Sequence, residues 1–509
     1  MSNRKVFWLA VITCASLLIC FVLVSLRAQT PARHPLGIFE GHSSIGAGQA
    51  SGSADYDSTK HSYTVTTGAN ATQFAWKKVV GDVALSSDVA FGHDTSNANE
   101  AVFLMFRQSL DAGSAFVAAA IQPDGSASLE YREAAGAPVH RIRTNISAPT
   151  RVRLEKRRGY AYLLLGANGG KLAPSGASIP VALEGSFYAG IALSAKGAMS
   201  PSQATFSEVG LDQIDPNATA PTLALYSSLE TIDVESKDRT IVYFAPEHFE
   251  APNWTRDGST FLFNQEGRLY RLPVAGGTPV AIDTGFAIRC NNDHGISPDS
   301  NFIAISDQSQ GDHDSRVYIV PFAGGAPRLV TPNGPSYWHG WSPDGKTLAF
   351  VGDRHDEYDI YTIPVAGGDE TRLTTAKGLD DGPEYTPDGK YIYFNSVRTG
   401  LMQIWRMRPG GSDQEQITHD DYNNWFPHFS PDGKWMAMLS FDKSVVGHPP
   451  NQDVSLRLMS MSDGKITVLA KLFGGQGTIN VPSWAPDSKH LAFVSYELLP
   501  AVVPSSSAH

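Results

Sequence analysis

Residues 341–374 read WSPDGKTLAFVGDRHDEYDIYTIPVAGGDETRLT, and this stretch decides the fold. Trp341 runs into Ser342-Pro343-Asp344-Gly345, where proline presets φ and Asp and Gly accept a tight turn. Thr347-Leu348-Ala349-Phe350-Val351 follows as a second strand, and a third ends in Ile360-Tyr361-Thr362-Ile363-Pro364. Val365-Ala366-Gly367-Gly368 turns the chain into a short fourth strand, Thr371-Arg372-Leu373-Thr374. The same grammar surrounds Asp257, Asp299, Asp344, Asp388, Asp432 and Asp487, at steps of 42, 45, 44, 44 and 55 residues. A period of 42–45 residues suits one four-stranded propeller blade.

The ends of this region fit each other. The last repeat stops after two strands, near Leu491-Ala492-Phe493-Val494. The region opens with two strand-like runs that lack partners, Leu223-Ala224-Leu225-Tyr226 and Arg239-Thr240-Ile241-Val242-Tyr243-Phe244. Together they can complete one blade and close the ring, which leaves no open sheet edge. Six turns therefore predict a six-bladed β-propeller over residues 223–499.

The Ser-Pro-Asp-Gly turn with its downstream Ile-Tyr and Gly-Gly resembles the repeats of TolB-like propellers of bacterial envelopes. The resemblance implies a binding or scaffold protein for an envelope protein or a glycan. Similar blades occur in carbohydrate lyases and in peptidase propellers. A peptidase of that kind would need an α/β-hydrolase domain, and the sequence holds no Gly-x-Ser-x-Gly elbow. The TolB family carries a small α/β module at its N-terminus, whereas the residues ahead of this propeller read as β throughout.

Runs such as Ala101-Val102-Phe103-Leu104-Met105-Phe106, Val152-Arg153-Leu154-Glu155 and Phe187-Tyr188-Ala189-Gly190-Ile191 lie between Gly, Pro and Asp turns. Several short strands without helical periodicity predict a β-sandwich over 59–213. Three pieces resemble the concanavalin-like jelly-roll domains of exported bacterial proteins: Phe103 to Arg107, Gln122-Pro123-Asp124-Gly125 with Leu129 to Arg132, and Arg151 to Lys156. Such domains bind glycans in some proteins and only pack in others. The expected fold is all-β, with residues 29–58 a flexible tether, 214–222 a linker and 500–509 a disordered tail.

Arg4 and Lys5 precede an uncharged, mostly apolar run from Val6 to Leu26, the pattern of an export signal. The run can be a signal peptide cleaved near Ala28 or a membrane anchor over 6–26, since it is long enough to span a bilayer as a helix. Leu17-Leu18-Ile19-Cys20 resembles a lipoprotein signal only loosely. Each reading places the remainder in the periplasm or at the cell surface. Cys14 and Cys20 lie in this run, so Cys290 has no cysteine partner in the exported part. The net charge of -11, with no basic run to offset it, excludes a nucleic-acid partner.

Propeller topology sorts the loops onto two faces. The Ser-Pro-Asp-Gly and Gly-Gly turns share one face and barely change between blades, which marks a structural role. The other face carries the crossings between blades and the loops between second and third strands, which differ in every repeat. Different residues at equivalent positions are what a specific site on a repeat scaffold requires. Trp338 and Trp425 are expected there as stacking platforms, with Asn292, Asp380, Asp381 and Asn424 as ligand-binding groups. The longer Lys443-to-Asp453 segment brings His448. Two positions before the Ser-Pro-Asp aromatic, proline is the background, and His294 and His339 depart from it. Glu384 and His428 depart one position later. The alternative reading is therefore a carbohydrate-active enzyme, a polysaccharide lyase or glycoside hydrolase. It would use His339, His428, Arg398 and Glu384 for catalysis and a divalent metal on His294, His339 and His428.

Overall fold

A computed structural model of the chain describes residues 36–46, 52–92, 100–167, 170–196, 201–215, 223–354 and 356–500. The apolar run 6–26, most of the expected linker, His355 and the tail from 501 lie outside these residues. Every named element among the described residues is a β-strand. Among them no helix is long and apolar enough to cross a membrane.

Two large antiparallel sheets come first. One runs Gly41–Ile45, Thr72–Val80, Ser186–Ala195, Glu100–Arg107, Phe116–Ile121, Ala127–Arg132, His140–Arg143. The other runs Ala173–Pro180, Tyr160–Ala167, Pro149–Arg157, Val83–Phe91, Ser202–Gln213, Ser62–Thr67, Ser53–Asp57. Alternation builds the layer between them: Tyr63, Val65, Val152 and Leu154 point inward from one sheet and meet Leu104, Phe106, Phe187 and Ile191 from the other in one core. Glu100–Arg107 is buried along its whole length, because a second cluster with Phe103, Met105, Phe74 and Ala118 covers its other face. That explains its continuous apolar sequence. The expected tether is corrected here: Gly41–Ile45 pairs with Thr72–Val80, and Ser53–Asp57 pairs with Ser62–Thr67. Both are edge strands with much of their side-chain surface open, so few apolar residues betray them.

Five four-stranded antiparallel blades follow, opening with the inner strands Phe249–Trp254, Cys290–Ile296, Ser336–Trp341, Asp380–Tyr385 and Tyr422–Phe429. We number them blades 1 to 5. In each, the Ser or Thr before the turn donates its hydroxyl to the turn aspartate. These are Thr255 to Asp257, Ser297 to Asp299, Ser342 to Asp344, Thr386 to Asp388 and Ser430 to Asp432, at 2.6–2.8 Å. The same oxygen accepts an N–H five residues on, as Ser342 does from Thr347 at 2.9 Å. Bonds from hydroxyl and backbone hold the carboxyls of Asp257, Asp299 and Asp344 below their usual range; Lys390 leads the same effect on Asp388, and in Asp432 Lys434 and Ser430 outweigh burial. The identity of this face across blades is thus a hydrogen-bond device. Removing one copy, Ser342→Ala, is expected to lower unfolding free energy by about 1 kcal/mol, read from the urea midpoint.

Six blades were expected, and five stand as separate sheets. At the remaining position His490–Pro500 pairs with Leu223–Asp233, which pairs with Arg239–Ala245. The innermost place holds only one bridge, Trp484 to Leu491. These three strands are continuous with the first sandwich sheet, because Arg239–Ala245 lies parallel to His140–Arg143. Across the junction to blade 1, Ala251 N–H donates to Gly477 at 2.7 Å, and the Asn253 amide donates to the Pro482 carbonyl at 2.8 Å.

The sandwich therefore docks on the propeller through a shared sheet. Ser228 donates to the Gly176 carbonyl at 3.2 Å, His140 meets the Ser236 carbonyl at 2.9 Å, and Tyr160 donates to Asp453. Glu497 is buried at this junction, and one of its oxygens has no hydrogen-bond partner. Burial, reinforced by Glu230, pushes its carboxyl up to about 7 against the pull of Ser178, Arg157 and Arg239. Between the ordinary glutamate value and about 7 the folded chain holds a proton that the unfolded chain has released, so stability falls as pH rises through that window. Glu497→Gln should change little at pH 5 and stabilise by about 1–3 kcal/mol at pH 8, measured as the difference in unfolding midpoint.

Candidate functional site

The inner strand of every blade carries a register slip. In blade 3, Trp338 faces Phe350 and Gly340 faces Ala349, so His339 has no residue opposite it. In blade 4 the slip falls between Asp381 and Glu384, in blade 5 between Trp425 and His428, and in blade 2 between Cys290 and His294. Such bulges re-aim side chains, and these turn a set of them into the mouth of the funnel.

The result is a cavity of about 370 Å³ on the variable face. Asp293, His339, Asp381 and His448 form its polar floor, and Tyr337, Tyr358 and Phe426 form aromatic walls. His339 Nε2 lies 3.2 Å from Asp381 Oδ1 and 3.9 Å from Asp293 Oδ1, and His448 Nε2 lies 3.8 Å from Asp381 Oδ2. Asn291 donates to Asp293 Oδ2 at 2.8 Å. The Phe426 ring stacks over His339 at 6.1 Å and meets His448 edge-on at 5.3 Å. Phe426 holds φ at 55°, a left-handed backbone unusual for so bulky a residue.

Charge and burial compete in this floor. Burial pushes the Asp293 carboxyl up to about 7; His339 opposes the rise, while Asp381 and Glu250 add to it. Burial also works against a charged His339, but Asp293, Asp381 and Glu384 outweigh it and hold the imidazole above its usual value. Asp381 is held low despite burial by its bond to His339, with help from His448 and the Gly382 N–H. Burial lowers His448. Among the described residues no lysine or arginine lines the cavity.

The other end of the funnel is different. There a second cavity of about 590 Å³ is ringed by the turn aromatics Trp254, Trp341, Tyr385, Phe429 and Trp484 and by turn prolines. These are the positions that repeat from blade to blade.

Known proteins match this architecture. The model of the TolB β-propeller domain family matches residues 297–496. An uncharacterised protein of Agrobacterium fabrum is 50% identical over 280 residues, which are 55% of this chain and 95% of that protein. A solved structure of a protein described as putative TolB, from Agrobacterium tumefaciens, is 50% identical with a TM-score of 0.53; the match covers 54% of this chain and 100% of that one. The chain belongs to the TolB-like β-propeller family.

In this TolB-like chain some predicted site residues meet and others do not. His339 and Asp381 share the cavity. His294 is fully buried, and burial, against a weaker opposing pull from the neighbouring backbone, drops its pKa to about 3. It stands at the same offset as His339, but the slip in its strand precedes it and sends it into the core. His428 uses one ring nitrogen on Glu384 and the other on the Ile479 carbonyl. Glu384 also accepts the Phe429 N–H at 3.0 Å. Among the described residues no group of three or more His, Cys, Asp or Glu side chains is placed to hold a metal ion. The expected donors His294, His339 and His428 therefore do not fit one.

The remaining candidates serve the blades. Arg398 is held by Asp380 at 2.7 Å, Ser396 at 2.8 Å and Gln414, and lies over Trp405 at 4.7 Å, so it is no free cation for a lyase. Asn424 joins Ser440, Asp420 and Arg457 inside blade 5. Asn292 bonds Glu250 and Asn480 at 3.4 Å. Trp338 and Trp425, expected as exposed platforms, are 1% exposed and belong to the core. Spacing alone does not separate inner-strand aromatics that face the next blade from those that face the funnel. Sequence reasoning placed Asp293, Tyr337, Phe426 and His448 on the variable face without giving them a role in the site, and it left out Tyr358. Asp293 and Phe426 each stand three places before the residue that enters the turn, Ile296 and Phe429, an offset that could have flagged them.

Proposed function

We propose that this protein is an extracytoplasmic binding protein that holds a protein segment or a glycan at the variable-face cavity. The observation that carries the reading is the lining itself. Blades 2, 3, 4 and 5 and the 476–480 segment each contribute different side chains, on a scaffold whose opposite face repeats. The TolB designation of the Agrobacterium tumefaciens relative supports an envelope setting. In this reading residues 6–26 export or anchor the chain. The strands Leu223–Asp233, Arg239–Ala245 and His490–Pro500 serve as the sixth blade, and the sandwich is a concanavalin-like jelly-roll that fixes the propeller's orientation.

The test compares binding of the full chain to isolated envelope fractions with that of two variants. Tyr337→Ala/Asp381→Asn should lose at least tenfold in binding, and Lys346→Ala on the turn face should lose nothing. Equal binding by all three would sink the assignment of the face.

A further inference from the structure

We propose that the variable-face cavity recognises a primary ammonium group, carried either by a lysine side chain or by a free amine. The inference rests on the binding reading above and names the chemistry of its ligand. Asp293 is 6% exposed, yet only one of its carboxylate oxygens is served by the protein: Asn291 donates to Oδ2 at 2.8 Å. Asp293 lines the cavity, and His339 Nε2 stands 3.9 Å from its Oδ1, beyond hydrogen-bond reach. His339 is committed to Asp381 at 3.2 Å instead. An acceptor left open to the cavity in this way can take a donor from a ligand.

The surroundings select the donor's charge. Two carboxylates line the cavity and Glu250 adds a third nearby; His339, whose imidazole they hold above its usual value, offsets one of them, and no lysine or arginine among the described residues lines the cavity to offset the others. Uronates, phosphates and chain-terminal carboxylates are repelled by such a lining. An ammonium group supplies both the missing hydrogen bond and the missing charge. Tyr337, Tyr358 and Phe426 offer ring faces to the cation and apolar surface to its aliphatic stem. The bulged, left-handed Phe426 is the part of the wall the backbone is strained to provide.

The floor also sets a pH dependence. An ammonium ligand favours ionised Asp293, whose carboxyl burial pushes up to about 7. The other groups facing it are Glu250, His339 and Asp381, with His448 beyond Asp381. His339 loses its competing proton as pH rises, so it acts in the same direction.

Calorimetric titration of the full chain tests this with Nα-acetyl-lysine methylamide, cadaverine, hexanoate and methyl glucoside. Both amines should bind, with affinity falling about tenfold from pH 8 to pH 6, and Asp293→Asn should weaken them at least tenfold. Hexanoate should not bind. Binding of the lysine derivative alone assigns the ammonium to a protein segment, and equal binding of cadaverine assigns it to free amines. Methyl glucoside binding without either amine overturns the ammonium class while leaving the binding face intact. No binding of either amine, or amine binding independent of pH, also overturns it. Equal envelope binding by the wild type, the cavity variant and the turn-face variant would overturn the broader reading instead. The wild-type pH profile decides the matter even should Asp293→Asn fold poorly.

Discussion

Arg239→Met should lower the unfolding free energy by about 3–5 kcal/mol, because it strands a charge in the interior. Arg239 and Glu230 are 1% and 0% exposed. Nε and Nη2 reach the two carboxylate oxygens at 2.7 and 2.6 Å, a fork-to-fork pair inside the shared sheet. Ser495 adds a hydroxyl to Glu230 at 2.5 Å, and the guanidinium lies 5.4 Å over the Phe493 ring. Without the arginine, Glu230 keeps its burial and loses its counter-charge. Removing both charges together, Arg239→Met with Glu230→Leu, should recover most of the loss. Paired urea curves measure both effects. A single-variant loss below about 1 kcal/mol would mean that water reaches this junction and that the sandwich does not dock as described.

Trp338→Ala carries a comparable effect for a different reason. The indole fills the space between blades 2 and 3. A Cβ placed on Gly295 of blade 2 would stand 1.9 Å from its ring. Its neighbours include Ala304, Val317, Leu348 and Phe350, and its backbone N–H donates to Ser306 Oγ at 2.8 Å. Emptying that site should cost about 3–5 kcal/mol through lost burial and the cavity left behind. An exposed sugar platform would behave in the opposite way, with binding lost and stability untouched. Thermal melts of Trp338→Ala and of the rim variant Tyr358→Ala separate the two: the first should melt far earlier, the second close to wild type.

The blade repeat was legible because its turns are chemical devices of fixed spacing. Each Ser-x-Asp triplet must stand two residues apart to make its bond, and each strand must alternate to bury one face. The docking of the sandwich was not legible, since the parallel pairing of Arg239 with Ile142 joins segments almost a hundred residues apart without a local signature. The site was half legible. Departure from the proline background found His339 and, with the same force, the core residue His294. What distinguishes them is where each inner strand slips its register, and a bulge depends on the partner strand as much as on its own residues. His448 comes from the loop between the second and third strands of blade 5, whose path into the funnel no repeat pattern specifies.

One measurement bears most directly on the central claim that the variable face holds the ligand. A photo-cross-linking amino acid is placed in the full chain at Tyr358, on the rim of the cavity, or at Lys346, on the opposite turn face, and irradiated in intact cells. The account predicts a discrete adduct from position 358 that Asp381→Asn suppresses, and none from position 346. An adduct from 346 with none from 358 would contradict it.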